Sequence, residues 1–188
     1  GGNALADIIA GDVTPAGKLP FTIANKAEDY PSFLHLGAKN KNIEYGYYHG
    51  YTLFDKKGIE AHFPFGFGLS YTDFDITETT VSVTDTSIIT KVKVKNTGNY
   101  KAKEIVQLYI RDLVGSLVRP IKELKGFEKI ELLPNEEKTV NFVINEDMLK
   151  FIKRDLTYGA EDGTFQVFIG KDSRCESFDE FKRIKNSL

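Results

Sequence analysis

The sequence predicts a mainly β protein: an immunoglobulin-like or fibronectin type III-like β-sandwich, preceded by a short α/β piece and a long linker. Short segments of alternating apolar and polar residues recur between residues 73 and 174. Turn residues separate these segments at fairly regular spacing, as in sandwich domains. Ahead of them stand one apolar helical pattern and one short apolar segment, which are too little to form a domain alone.

The β region, residues 73–174, is expected to contain about seven short strands. The alternating segments are 74–77, 81–83, 88–94, 104–112, 124–132, 138–144 and 164–169. Asn145 is a typical N-cap for a helical turn after the sixth segment. The single cysteine, Cys175, rules out the cysteine pair of an antibody domain, so the disulfide-free fibronectin type III class fits better.

Within the segment 104–112, alternation places Val106 and Leu108 toward the core and Gln107 and Tyr109 on the opposite face. Acidic residues along these strands are interpreted as solvated strand faces. They are Glu104, Asp112, Glu123, Glu128 and Glu131. Arg119 precedes a proline, so its backbone is held extended and its guanidinium is free to pair with a carboxylate.

Residues 1–23 are interpreted as the terminal helix and strand of an α/β sandwich domain. Ala4, Leu5, Ile8 and Ile9 form one helical face. Gly11 ends the helix, and the apolar segment 19–23 follows as a strand. One helix and one strand cannot bury their apolar faces alone. We therefore expect this piece either to pack on the sandwich or to form a dimer contact through residues 4–23.

Residues 24–72 form a linker rich in aromatic residues and glycine. Residues 175–188 are a polar tail, for which a short terminal helix and a short strand both stay open and which has no functional interpretation. The runs 45–51 and 63–71 interleave aromatics with glycines. Such aromatics either fix a linker onto the neighbouring domain, which is the favoured interpretation, or stack against a sugar. Tyr47, Tyr48 and His49 are the candidates for the rim of a substrate site.

Composition excludes several function classes. The chain has 25 basic and 27 acidic residues and a net charge of -2, which argues against nucleic-acid binding. No run reaches the roughly eighteen apolar residues of a membrane span. One cysteine and three well-separated histidines give no metal-ligand spacing, and no cofactor motif is present, so neither a metal nor a cofactor is expected. The absence of a glycosylation sequon and the single cysteine favour, weakly, a cytoplasmic location.

Several motifs, taken in order along the chain, resemble glycoside hydrolase family 3. The stretch 6–20 resembles the end of that family's α/β sandwich domain. Residues 50–55, Gly-Tyr-Thr-Leu-Phe-Asp, resemble its Gly-Tyr-Arg-Tyr-Phe-Asp linker, with Thr52 in place of the usual arginine. The stretch 63–74 resembles the entry into its C-terminal domain. The segments 96–98, 104–109, 119–127 and 163–170 match its fibronectin type III-like domain.

This resemblance implies the C-terminal part of a retaining β-glucosidase or β-xylosidase, with a stabilising and domain-packing role. In the family, the aspartate nucleophile lies in a (β/α)8 barrel and the acid/base carboxylate usually lies in the α/β sandwich, ahead of the segment where this chain begins. A barrel alone needs roughly 250 residues, so no catalytic residue is assigned here and the chain alone is expected to be inactive.

The resemblance also implies partners: the barrel and α/β domains of a parent enzyme and, through that parent, a β-linked sugar. In some members the barrel follows the fibronectin-like domain, so the missing barrel fits on either side of this segment. The alternative function is a free-standing carbohydrate-binding or adhesion module, with the aromatic linker as its binding platform.

Overall fold

The computed structural model describes residues 1–31, 46–84 and 88–184, and a two-sheet β-sandwich forms its centre. The elements, in chain order, are α1 (Gly2–Ala10), a 3-10 turn (Ala27–Asp29), α2 (Gly50–Lys57), β1 (Phe74–Val83), β2 (Ile88–Asn96), β3 (Ala102–Asp112), β4 (Glu123–Leu132), β5 (Glu137–Ile144), α3 (Glu146–Leu149), β6 (Phe151–Ile152), β7 (Tyr158–Gly159), β8 (Gly163–Gly170) and β9 (Phe178–Arg183). The predicted fold class, a mainly β sandwich, is confirmed.

The two sheets are antiparallel, with strand orders β1-β2-β5 and β4-β3-β8-β9, and β6 and β7 pair as a small hairpin. Strand alternation sends every second side chain of β2, β3 and β5 between the sheets. Val92, Val106 and Ile144 are fully buried there. Each such side chain contributes about 1.5–3 kcal/mol relative to an exposed one. The core is therefore built from the alternation that the sequence shows.

β3 is buried on both faces. Val106 and Leu108 face the core as predicted, but Gln107 and Tyr109, on the opposite face, are also buried, with exposures of 3% and 0%. The linker covers this outer face: the Gln107 side-chain amide donates to Gly66 O at 3.3 Å and to Lys171 O at 2.8 Å. The linker and the sandwich therefore form one packed body, and the contact between them is called the seam below.

Helix α1 forms as predicted, but it does not pack its apolar face on the sandwich. Leu5 and Ile9 are 59% and 74% exposed, and none of the helix's residues is buried. The Tyr71 hydroxyl donates to Ile8 O at 2.7 Å, which holds the end of the helix near the linker. The expectation that the sandwich buries this face is wrong for the chain as described.

The apolar segment 19–23 pairs with the linker rather than forming a regular strand. Leu19 N–H donates to Phe67 O and Ile23 N–H donates to Phe63 O, both at 2.8 Å. Ile23 and Phe63 make a single antiparallel bridge. The predicted strand is therefore replaced by an irregular pairing that ties the N-terminal segment to the linker.

The last described residues continue the four-stranded sheet. β9 pairs with β8, and Phe181 is buried with its ring stacked on Phe165, the ring centroids lying 5.3 Å apart. Arg183 pairs with Asp162 at 2.7 Å and with Glu146 at 3.0 Å. The sheet thus extends beyond residue 174 into the segment interpreted from sequence as a polar tail.

Candidate functional site at the linker–sandwich seam

Helix α2 lies inside the segment that the sequence analysis treated as an irregular linker. The Thr52 hydroxyl accepts from His49 N–H at 3.3 Å and donates to His49 O at 2.8 Å, closing the first turn. Gly58, with φ of 62°, ends the helix in the left-handed conformation that favours glycine. Lys56 and Lys57 in the last turn complement the helix dipole. These end signals are the ones from which the sequence could have predicted the helix.

Two side chains of α2 fix it onto the sandwich. The Tyr51 hydroxyl accepts from Leu124 N–H at 2.9 Å, and the Tyr51 ring lies 5.1 Å from that of Phe65. Asp55 forms an ion pair with Lys122 at 3.3 Å. Burial raises the pKa of the Asp55 carboxyl, and the Lys122 ammonium opposes that shift. The helix is therefore held by one neutral and one charged contact, both at the seam.

A cavity of about 730 Å³, the aromatic cavity, opens between the N-terminal segment, the start of α2 and the start of β4. Its walls include Phe21, Tyr47, His49, Tyr51, Phe65 and Glu123. Its volume lies within the range of about 300–1,000 Å³ that small-molecule sites occupy. Aromatic faces with a carboxylate and an imidazole at the edge suit a polyhydroxyl ring, whose C–H face packs on aromatics while its hydroxyls bond to polar groups.

The structure brings two of the three candidate rim residues to this cavity. Tyr47, 61% exposed, and His49 both line it. Tyr48 lies beside it: its hydroxyl donates to Arg119 O at 3.4 Å, and the Lys56 ammonium sits 3.9 Å from its ring centroid. The Tyr48 ring meets that of Tyr47 edge-on at 5.0 Å. Tyr48 therefore packs against Tyr47 and helps to hold its ring in place.

A fixed pair of opposite charges stands next to Tyr47. Arg119 pairs with Glu123, as its proline-restrained backbone predicted, and its guanidinium stacks 4.4 Å from the ring centroid of Phe151. Partial burial raises the pKa of the Tyr47 phenol, and the nearby Arg119 guanidinium limits the shift. The phenol therefore stays protonated at neutral pH and remains a hydrogen-bond donor.

The sequence analysis missed a buried ion pair at the seam. Glu104, interpreted as solvated, is 5% exposed and pairs with Lys18 at 2.6 Å. Glu104 is buried by a tertiary contact, because the N-terminal segment lies over the entry of β3. Gly68 approaches this segment so closely that an added Cβ would lie 2.4 Å from Gly17 O. A sequence pattern within one strand cannot show that a distant segment of the chain covers that strand.

Two negative observations apply to the described residues alone. Among residues 1–31, 46–84 and 88–184, no group of three or more His, Cys, Asp or Glu side chains is arranged to hold a metal ion. Within the same ranges, no helix has the length and apolar character needed to cross a membrane.

Two family models match the chain in succession. Residues 1–71 match the glycosyl hydrolase family 3 C-terminal domain, and residues 104–173 match the fibronectin type III-like domain. Among curated proteins, the chain is 43% identical to thermostable beta-glucosidase B of Acetivibrio thermocellus over its whole length. It is 45% identical, over 92% of its length, both to beta-glucosidase BoGH3A of Bacteroides ovatus and to a putative beta-xylosidase of Formosa agariphila.

Solved structures give the same pattern. The beta-glucosidase of Kluyveromyces marxianus, determined in complex with glucose, matches 98% of the chain with a TM-score of 0.87 and 39% identity. The GH3 beta-glucosidase of Bifidobacterium adolescentis matches 97% with a TM-score of 0.87 and 33% identity. The chain covers 26%, 25% and 22% of the three curated relatives and 23% and 28% of the two structures. The described chain thus spans about a quarter of the length of the proteins it matches.

Proposed function

The chain belongs to glycoside hydrolase family 3, where it corresponds to the C-terminal part, and we propose that its parent hydrolyses terminal β-glucosides or β-xylosides with retention. The relatives named as beta-glucosidases and a putative beta-xylosidase support this substrate class. The catalytic carboxylates are proposed to lie in the barrel and α/β domains of the parent. The chain itself then contributes stability and domain packing.

One observation carries the packing role: α1 presents an apolar face that the described chain does not bury. Leu5 is 59% and Ile9 is 74% exposed, on a helix within the match to the family 3 C-terminal domain. We assign this face to the remainder of that α/β domain, with residues 24–72 as the linker and the sandwich beginning at residue 73. A dimer contact through residues 4–23 is the competing occupant.

The experiment compares three proteins for turnover of an aryl β-glucoside and an aryl β-xyloside. They are the 188-residue chain, the native parent polypeptide, and the parent truncated before this segment. We expect turnover from the parent only, because the chain lacks the catalytic carboxylates and the truncated parent loses the partner of its α/β domain. Turnover by the chain alone at an enzymatic rate would contradict the proposal.

A second proposal concerns Tyr47, Tyr48 and His49 as the rim of the sugar site in the parent. The aromatic cavity supports it, because Tyr47 and His49 line that cavity beside Glu123. Tyr47→Ala in the parent should raise KM several-fold with kcat nearly unchanged, since a rim contact binds ground state and transition state alike. Tyr100→Ala, which removes an exposed tyrosine of the sandwich, is the matched control. Equal kinetics for both variants would exclude the rim role.

The alternative, a free-standing carbohydrate-binding or adhesion module, uses the same cavity without a parent enzyme. It requires measurable affinity of the isolated chain for β-linked oligosaccharides that Tyr47→Ala or Tyr48→Ala abolishes. Calorimetric titration with several β-glucans separates the two proposals, because the packing role requires no such affinity.

A further inference from the structure

A second cavity at the seam, the polar cavity, has a volume of about 360 Å³ and shares the wall residues Thr22 and Tyr51 with the aromatic cavity. Its walls include Thr22, Tyr51, Phe54, Asp55, Lys122 and Ser173. Three chain segments meet here: the N-terminal segment, α2 and the region after β8. The cavity is therefore part of the packed body rather than a surface groove of one element.

One buried polar atom of the cavity walls, Thr22 Oγ1, has no hydrogen-bond partner within the described chain. The neighbouring Asp55 Oδ2 accepts no hydrogen bond of good geometry, but it lies 3.3 Å from the Lys122 ammonium in an ion pair. Thr22 is 5% exposed, so its hydroxyl has little access to hydrogen bonds with bulk water. Buried polar groups are nearly always hydrogen-bonded, and an unpaired one destabilises the fold. An unpaired Thr22 hydroxyl and the Asp55 carboxylate on the walls of one cavity indicate an occupant that bonds to both.

The charged residues that line the cavity limit the kind of ligand that it can bind. Three carboxylates and two cations line it: Asp55, Glu60, Glu176, Lys122 and Arg174. Lys122 is already paired with Asp55 and Arg174 with Asp172, so the cavity offers no surplus cation for an anionic ligand. The walls supply acceptors in the carboxylates and donors in the Lys122 ammonium and Ser173 hydroxyl. An uncharged ligand rich in hydroxyl groups matches both kinds of partner.

The apolar part of the wall points to a ring rather than an open chain. Phe54 is buried, and Tyr51 is held in place by its bond from Leu124 N–H and its packing on Phe65. Both rings line the cavity. Aromatic rings fixed in this way offer an ordered apolar surface at low entropic cost. A pyranose presents a C–H face to such a surface and hydroxyls at its edge.

We propose that the polar cavity is a binding site for a neutral monosaccharide, separate from the aromatic cavity and from the catalytic machinery of the parent. Thr22 and Asp55 bond to the sugar hydroxyls, while Tyr51 and Phe54 contact the ring. Such a site lets a sugar product strengthen the seam, because a ligand that binds only the folded seam stabilises it by mass action. The choice of D-glucose as probe rests on the proposed function; the site itself rests on the cavity.

The test is a titration of the isotope-labelled 188-residue chain with D-glucose, followed by chemical-shift mapping. We expect saturable binding with a dissociation constant in about the millimolar range, which suits a ligand of about a dozen heavy atoms. The shifted amides should centre on Thr22, Tyr51, Asp55 and Ser173. Inorganic phosphate at the same concentrations should give no saturable shift at these positions.

The deciding variant is Thr22→Val, which removes the unpaired hydroxyl and keeps the side-chain shape. It should leave the chain at least as stable and weaken glucose binding about five- to tenfold, the loss of one hydrogen bond. Thr90→Val is the matched control, because Thr90 Oγ1 is also buried and unpaired in the described chain but lies in the sandwich core. It should bind glucose as the wild type does.

Several outcomes would overturn the site. One is the absence of a saturable shift at glucose concentrations about tenfold above a dissociation constant of about a millimolar. Another is glucose binding that is unchanged in Thr22→Val. The site would also be overturned by shifts centred on Tyr47 and His49, or by tighter binding of phosphate than of glucose. None of them bears on the proposed function, whose failure would appear as missing glycoside turnover by the parent.

Discussion

At the scale of single residues, the seam is held by buried polar side chains of the sandwich that bond to the linker and to the N-terminal segment. Asn96 is fully buried, accepts from Thr72 Oγ1 at 2.6 Å and from Gly98 N–H at 3.1 Å, and donates to Tyr100 O at 2.7 Å. Gln107, on the outer face of β3, bonds to the linker, and Glu104, at the entry of that strand, pairs with Lys18. Such groups stabilise only while every partner is present, so they make the linker and the sandwich interdependent.

The ion pair of Lys18 and Glu104 gives the first prediction. Lys18→Met leaves Glu104 buried without its cation, so we expect a loss of about 3 kcal/mol in the free energy of unfolding. The double variant Lys18→Met/Glu104→Gln should lose clearly less than the sum of the two single variants, because it leaves no unpaired buried charge. Urea unfolding of the four proteins measures this coupling. Strict additivity would show that the pair is not coupled.

The second prediction concerns pH. Partial burial raises the pKa of the Asp112 carboxyl, against the opposing Val114 N–H and Arg119. A carboxyl whose pKa is raised on folding binds more protons in the folded state. Stability therefore falls as pH rises from the ordinary value of about 3.9 through the raised value. Asp112→Asn should accordingly raise the melting temperature at pH 7.

The difference between Asp112→Asn and the wild type should shrink as the pH is lowered below the ordinary carboxyl pKa, because Asp112 is then protonated in both the folded and the unfolded state. Asp155→Asn is a suitable comparison, because hydrogen bonds from Thr157 lower the pKa of the exposed Asp155 carboxyl. For that variant the pH trend should have the opposite sign. A pH-independent gain for Asp112→Asn would rule out titration as its cause.

At the scale of elements, β3 is an enclosed strand: another strand pairs with it on each edge, and each of its faces is covered. Its inner face meets the other sheet, and its outer face meets the linker through Gly66, with φ of 81°. A Cβ added at Gly66 would lie 2.4 Å from the amide atoms of Gln107. That amide is held by its bonds from Tyr109 and to Lys171, so it cannot move aside freely.

We therefore predict that Gly66→Ala destabilises the chain by about 2–4 kcal/mol, the sum of a left-handed backbone strain and a disturbed buried hydrogen bond. The control is Gly163→Ala at the start of β8, where an added Cβ meets nothing within 4 Å. It should change stability by less than about 0.5 kcal/mol. Equal effects in thermal unfolding would contradict the close contact at Gly66.

We propose that helix α1 has an exposed apolar face in the described chain and a buried one in a longer polypeptide. Ile9→Asp should leave the stability of the 188-residue chain within about 0.5 kcal/mol of the wild type, because Ile9 is 74% exposed. In the parent it should destabilise by about 2–4 kcal/mol, because it places a charge in an apolar contact. Asn3→Asp, at an exposed position on another side of the helix, is the control in both proteins.

Calorimetry of the four variant proteins measures this difference. A dimer of the 188-residue chain that Ile9→Asp dissociates would assign the face to a second copy instead. Equal effects of Ile9→Asp and Asn3→Asp in the parent would leave the apolar face without a partner there.

The elements also show what a sequence pattern can and cannot reveal. The strands of the sandwich were predictable because a period of two places Val92, Val106 and their equivalents on one face. Helix α2 was missed because it has only eight residues and buries only Leu53 and Phe54, too few for a helical stripe. β9 was left open between a helix and a strand because its phenylalanines lie three apart, a spacing that strand alternation does not give.

At the scale of the whole molecule, the candidate site was predictable in part. The interleaved aromatics and glycines directed attention to Tyr47 and His49, which do line a cavity. The remaining walls come from Phe21, Phe65 and Glu123, which only the fold brings together. The burial of Glu104 and Gln107 on β3 was not predictable, because Lys18 and Gly66, which contact them, lie in segments distant in sequence.

The fold, the family and the exposed helix face together support the proposal that the chain is one part of a larger enzyme. The chain matches nearly all of its own length but only about a quarter of its relatives'. The covered β3 face ties the linker to the sandwich, while the apolar face of α1 is left open. A preceding domain of the same polypeptide is the occupant that we propose for the open face of α1, and the linker would then transmit its position to the sandwich.

The most direct test is the size of the native polypeptide, measured by immunoblot of source cells with an antibody raised against this chain. The account predicts a band about four times the 21.2 kDa of the chain, in keeping with the 26% of the Acetivibrio thermocellus relative that it covers. A single band near 21.2 kDa would contradict it and would leave a free-standing sugar-binding module as the function to pursue.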